Sequence, residues 1–472
     1  LTISGIGGAG GNRGGDGGQI QPAGGGALGG SISSLTNGAI RINADINVTG
    51  GAGGTISTTS GYGGIGLTGA GGGGDIIGSG SGAKGGRISF TTMKSDIIVN
   101  ADLKADGGAG GNITSVSGYG GDAGGLPGAD STGGEGGSIG NAGGGASGGS
   151  IDLGAETGIT SMKLLSADGG VGGNLASTTG YGGTGANFGA AGKGGSMLSA
   201  GDAGGGGMIS TKTTNGNVAI KDINANGGMG GANTSIGGTG ASSSSGSDGG
   251  SIGNSGKGGR GGSVTIETGQ LLPNLVTIFN GKVKAEGGVS GIYSATGGNG
   301  GVGLNGGGGN GGAVGDQGDA GFGGSVSIKT NKLNIIQTVL TPALISVNGG
   351  STTTDTTNVA LAGYSGQSGE GGAAGGKATG GNGGVVGRAG DGGGGGSVII
   401  SAFGDSAFVS DVNGSDLISA RGGTVADDKA LSGKGGHGGL VASVDRSGNG
   451  GDSGLIGRNG DAGDGGNIFI TG

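Results

Sequence analysis

Cysteine is absent from the 472 residues, and so is tryptophan. The first absence removes disulfides, thiolate metal sites and cysteine nucleophiles together. Proline occurs 4 times and histidine once, at His437. With no second histidine and no cysteine, a typical zinc site cannot be assembled. Aromatic residues make up 3% of the chain and hydrophobic residues 31%, too little for a conventional core of large side chains over this length. No run approaches the roughly 18 apolar residues of a membrane span, so none is expected. Acidic residues outnumber basic ones, 31 to 23, for a net charge of −8. That balance argues against a phosphate-neutralising surface and hence against a nucleic-acid partner. The chain opens at Leu1 without Met or a signal-peptide pattern, which suggests a segment of something longer.

What is abundant is glycine, 149 residues of it. One third glycine with a strict three-residue period and abundant proline would mean collagen, but proline is scarce here and β-branched segments interrupt the glycine. Flexible or disordered tracts would show no regular recurrence of such segments. They do recur. After a Gly-Gly pair, strands are predicted to begin at Ser31, Arg87, Ser150, Met208, Ser263, Ser325, Ser397 and Asn467. Their second residues are Ile32, Ile88, Ile151, Ile209, Val264, Val326, Val398 and Ile468, every one β-branched. Two positions on, the apolar choice repeats except at Ser34 and Thr211. Alternation of this kind is the strand signature.

A second Gly-Gly column follows at Gly50, Gly107, Gly169, Gly227, Gly287, Gly349 and Gly422, spaced by 57, 62, 58, 60, 62 and 73 residues. The chain therefore reads as a single repeat array, with no break into separate domains. A partial unit (residues 1–30) precedes repeats at 31–86, 87–149, 150–207, 208–262, 263–324, 325–396 and 397–466, and 467–472 starts the next. The fold class expected is all-β and extended, essentially without α-helix. Because ordering glycine carries a large entropic cost, ordered glycine runs imply that something needs the missing Cβ. Triplets such as Gly-Gly-Ala and Asp-Gly-Gly match the three-residue turn of a polyproline-II helix. Parallel β-solenoid strands stacked with such polyglycine helices are the leading expectation. Two or three ordinary β-helix coils per repeat, with glycine at the corners, are the runner-up.

The strand-bearing units Gly149-Ser-Ile-Asp-Leu153 and Gly262-Ser-Val-Thr-Ile266, with Ile40–Gly54, resemble coils of filamentous-haemagglutinin-type β-solenoid surface proteins. The glycine runs resemble the polyglycine-II sandwiches of phage tail-fibre adhesins. The resemblance implies a surface or secreted filamentous protein, and it transfers no functional residue.

Candidate sites are few. Asp45, Asp102 and Asp222 share one repeat position, while Asp106, Asp168 and Glu286 precede the second glycine column. A stacked acidic ladder is a calcium candidate. Against it, the nine-residue calcium-roll consensus is not met in register, and Thr49, Asn226, Asn348 and Arg421 break the charge, which favours structural turn residues. Tyr62, Tyr119, Tyr181 and Tyr364 also share a position, either as a stacked aromatic ladder or as a surface for glycan or a neighbouring filament. Sequons fall at Asn47, Asn112, Asn233 and Asn413. No acidic or basic cluster recurs with an inserted loop around it, so no enzyme and no cofactor are expected. The functional expectation is a structural subunit or segment of an extracellular filament, sheath or surface layer that self-associates. The alternative is an adhesin stalk or tip that binds glycans or a cell surface.

Overall fold

The computed structural model describes residues 2–3, 5–125, 130–269, 276–279, 281–337, 344–352, 378–403, 407–410, 417–425, 434 and 449–471. Tyr364, His437 and the Asn413 sequon lie outside them. The described residues form strands and extended segments without any helix, and every paired strand runs parallel to its partner.

One sheet has eight strands, at Ser31–Thr36, Arg87–Thr92, Ser150–Ala155, Met208–Thr213, Ser263–Glu267, Ser325–Thr330, Ser397–Ala402 and Asn467–Thr471. They lie side by side in chain order. Each repeat thus contributes one strand to this sheet and advances it by one strand, unlike the two or three coils of the runner-up. The register is position for position, Ser150 opposite Arg87 and Met208, and Ser263 opposite Met208 and Ser325. It places the β-branched column in one line on one face. In the six inner strands Ile88, Ile151, Ile209, Val264, Val326 and Val398 are at most 1% exposed. Ile32 and Ile468, in the two outer strands, are 41% and 44% exposed, having a packed neighbour on one side alone.

The second sheet packs against that face. Its main path runs through Ile40–Ile42, Asp96–Val99, Gly158–Ser166, Asn217–Asn224, Val276–Phe279, Lys332–Gln337 and Ala407–Ser410, again in repeat order. Between the sheets lies a continuous apolar column that includes Phe90, Val99, Leu103, Leu153, Ile220, Ile223, Ile266 and Ile345. Burying each Ile, Leu or Val contributes about 1.5–3 kcal/mol, so a narrow column of such residues sustains the array despite the scarcity of aromatics. Thr211 continues the column with a buried hydroxyl that has no hydrogen-bond partner.

A second, smaller core was not foreseen from the sequence. It joins two rows of parallel pairings, one of isolated bridges through Ile56, Ile113, Leu175, Asn233 and Tyr293, the other through Ile76 and Ile139, paired in a two-stranded sheet, and on by bridges to Met197, Ile252, Val314 and Val386. Asn233 is fully buried there and donates from Nδ2 to the Gly253 carbonyl at 3.0 Å, which removes it as a glycan acceptor. Tyr293 reaches the same carbonyl with its hydroxyl at 2.8 Å.

Candidate functional site

The glycine segments between the two cores are the chemically distinctive part of the molecule. Glycine allows positive φ, yet among the described residues only Gly78 and Gly125 use it. The remaining described glycines keep negative φ, which does not itself demand glycine. What excludes a side chain is the neighbouring backbone. A Cβ on Gly143 would collide with the Gly80 carbonyl, and one on Gly173 with the Gly111 carbonyl.

The segments are brought this close by hydrogen bonds between them. Gly80 N donates to Gly54 O at 2.9 Å, Gly111 N to Gly80 O at 2.8 Å, Gly143 N to Gly111 O at 3.0 Å and Gly173 N to Gly143 O at 2.7 Å. The chain of bonds continues through Gly201, Gly231, Gly256 and Gly291, alternating between two glycine segments in each repeat. A second zigzag runs from Gly51 through Ala83, Gly108, Ala146, Gly170 and Gly204 onward. Two more pass through Gly64 and Gly71, and through Gly61 and Gly74.

Within a triplet the three N–H groups point in three directions. In Asp168-Gly169-Gly170, Gly169 N donates along the array to Asn226 O at 2.8 Å and Gly170 N donates sideways to Ala146 O at 2.7 Å. Asp168 N has neither carbonyl. It donates instead to the carboxylate of Asp106, in the preceding repeat, at 2.8 Å. Asp168 in turn accepts from Asn226 N at 2.6 Å, and Asn226 from Glu286 N at 2.9 Å. The same device recurs from Asn112 to Asn174 to Ala232, both at 2.8 Å, and from Asn254 to Asp316 to Arg388, again at 2.8 Å. Where the residue at this position of the triplet is Asp or Asn, as in these cases, its side chain is therefore an acceptor for the one N–H that the backbone lattice leaves over.

This accounts for the aspartates picked out in the sequence, whereas Glu286 accepts from the Ser346 hydroxyl and the Lys284 ammonium. Asp45 accepts from Asp102 N at 2.9 Å, Asp102 from Leu164 N at 3.2 Å and Asp222 from Lys282 N at 2.9 Å. Among the described residues no group of three or more His, Cys, Asp or Glu is placed to hold a metal ion. Burial pushes the Asp168 carboxyl above its ordinary value; the bonds from Asn226 and Ser166 oppose this and the nearby Asp106 carboxylate adds to it.

Tyr62, Tyr119 and Tyr181 stack along the array with ring centroids 5.1 Å apart at both steps and interplanar angles of 17° and 3°. Tyr62 and Tyr181 are 37% and 45% exposed, so the stack lies on the surface. Burial raises the Tyr119 phenol, and its two phenol neighbours raise it further. Sequence reading missed one charged cluster. Arg388 meets Asp319 at 2.8 Å and Asp391 at 3.1 Å, and Lys257 meets Asp319 at 3.2 Å. Burial lifts the Asp319 carboxyl, but the Asp391 N–H, Lys257 and Arg388 outweigh it and hold it below the ordinary range. These residues come from three different repeats, and only the register of the sheets could have shown them to be neighbours.

No family model, curated protein or solved structure matches the chain.

Proposed function

We propose that this chain is a β-solenoid whose glycine segments pack as polyglycine-II helices, and that it serves as a structural segment of an extracellular filament, sheath or surface layer. The observation that carries the reading is the three-direction pattern of N–H donation in triplets such as Asp168-Gly169-Gly170. Three residues per turn with donors fanned around the axis is polyproline-II geometry, and negative φ at nearly all described glycines agrees with it. Bonds from both sheets and from the glycine zigzags cross between successive repeats together. Each nets only about 0.5–1.5 kcal/mol, but loaded in parallel they resist separation of the repeats collectively. Such a lattice gives mechanical and proteolytic resistance without large side chains, which suits an exposed assembly.

Immuno-electron microscopy of the source cells with antibody to this chain tests the role. Label on extracellular fibres or on the outer surface is expected, and label confined to the cell interior overturns it. Fibre diffraction of the purified chain tests the architecture separately. A reflection near 4.8 Å along the stacking axis is expected from the strand spacing.

A further inference from the structure

A groove runs across the repeats beside the eight-stranded sheet, and its floor is the Gly-Gly pair that precedes each strand. In each pair the second glycine donates its N–H inward: Gly86 to Val48, Gly149 to Ala105 and Gly207 to Ala167, at 2.6–2.7 Å. Gly262, Gly324 and Gly396 do the same toward Ala225, Ala285 and Val347. The peptide bonds are trans, so the carbonyl before each of these N–H groups points the opposite way. The carbonyls of Gly85, Gly148, Gly206, Gly261, Gly323 and Gly395 are therefore directed away from the core, one per repeat, and no backbone N–H of the described residues bonds to them; Gly85 and Gly148 are buried, and the other four are partly exposed along the groove. They form a row of acceptors at strand spacing, about 4.8 Å.

The walls differ in chemistry from the floor. Lys84, Arg87 and Arg260 line the groove and no Asp or Glu does, in a chain whose net charge is −8. Arg87 is paired with Asp152 at 3.1 Å, while Lys84 and Arg260 are exposed and make no ion pair among the described residues. Phe322 and Met208 are 54% and 53% exposed beside the same floor, and the Arg260 guanidinium lies 5.4 Å from the centre of the Phe322 ring.

We infer that this groove binds a linear acidic polysaccharide, a chain of uronate-bearing sugars lying along the stack. Sugar hydroxyls supply donors for the carbonyl row, and a pyranose chain advances by about one strand spacing per ring. The apolar faces of the rings fit against Phe322 and Met208. The carboxylates answer Lys84 and Arg260. An extended peptide fits less well, because its donors on one edge repeat every two residues, about 6.8 Å, out of step with the row. The site is independent of filament formation, and its test separates the two.

Binding is measured by calorimetry on the full chain with three probes: an oligogalacturonate of about eight sugars, cellohexaose, and poly-glutamate of matched charge. The oligogalacturonate is expected to bind, and to bind at least tenfold more weakly to a Lys84→Gln/Arg260→Gln double variant whose thermal unfolding is unchanged. A Ser325→Trp variant, which fills the groove from its wall, is expected to abolish binding. The inference is overturned if the uronate fails to bind at millimolar concentration, or if the double variant binds it as well as the parent. It is overturned equally if cellohexaose or poly-glutamate binds as tightly as the uronate, since the groove would then read shape or charge alone.

Discussion

At the scale of the residue, the informative position is the one in each glycine triplet that bears a side chain. Its backbone N–H has no carbonyl to meet, and where the equivalent residue one repeat earlier is Asp or Asn the acceptor comes from it, as from Asp106 to Asp168 and from Asp168 to Asn226. An amide serves as well as a carboxylate, which is why Asn226 and Asn348 stand in the same column as Asp106 and Asp168 and accept in the same way. The charge is then a liability where two carboxylates adjoin. Asp168 is raised by burial and by Asp106, so its folded form holds a proton more readily than its unfolded form. Its contribution favours the fold below its unfolded titration range and is lost as pH rises through the raised folded value. Asp168→Asn is therefore expected to match the parent in thermal midpoint near pH 3 and to exceed it increasingly toward pH 7. Equal midpoints across that range, by circular dichroism, would contradict the assignment.

At the scale of the element, glycine is required by what lies next to it. Gly143 and Gly144 are adjacent and neither has positive φ, yet their surroundings differ. A Cβ on Gly143 meets the Gly80 carbonyl carbon at 2.6 Å and Gly111 N at 2.8 Å, whereas one on Gly144 finds nothing nearer than Asp202 O at 3.5 Å. Gly143→Ala must push the zigzag apart and is expected to destabilise the chain by about 3 kcal/mol or more. Gly144→Ala is expected to be neutral or to stabilise by about 0.4–1 kcal/mol, through the entropy it removes from the unfolded chain. Urea unfolding of the pair distinguishes a packing requirement from a conformational one; equal losses for both would refute the former.

At the scale of the whole molecule, each repeat meets chiefly the ones before and after it. Arg87–Thr92 pairs with Ser31–Thr36 and Ser150–Ala155 through the same residues that Ser150–Ala155 offers to Met208–Thr213. The joint between repeats is thus nearly interchangeable. Deleting residues 150–207 joins Gly149 to Met208 and offers Arg87 a new partner in unchanged register. That variant is expected to fold cooperatively into a shorter array. Deleting 150–178 instead leaves the strand unmatched, and aggregation is expected in sedimentation. Cooperative folding of the second variant, or failure of the first, would show that repeats are not equivalent units.

Much of this could be read in the sequence because strand periodicity is a local property. The β-branched column from Ile32 to Ile468 and the paired glycines were visible, and with them an all-β repeat array, since alternation and spacing need no knowledge of partners. The second core was harder to see. Its columns carry one apolar residue per repeat among glycines and serines, too sparse for any periodicity, and in one of them Asn233 and Tyr293 stand where Ile and Leu would be expected. The carboxylates could be read as turn residues in preference to calcium ligands, but spacing alone cannot tell which atom accepts which proton. Only the tertiary structure decided that Asp45, Asp102, Asp106, Asp168 and Asp222 each accept an N–H of the next repeat, that Arg388 gathers carboxylates from separate repeats, and that a row of carbonyls lies along a groove. Composition determined that this chain has few large side chains to pack, so that contacts between backbone groups must share in holding it together. Where the backbone groups point depends on contacts between residues some sixty positions apart, which exist only once the repeats are stacked.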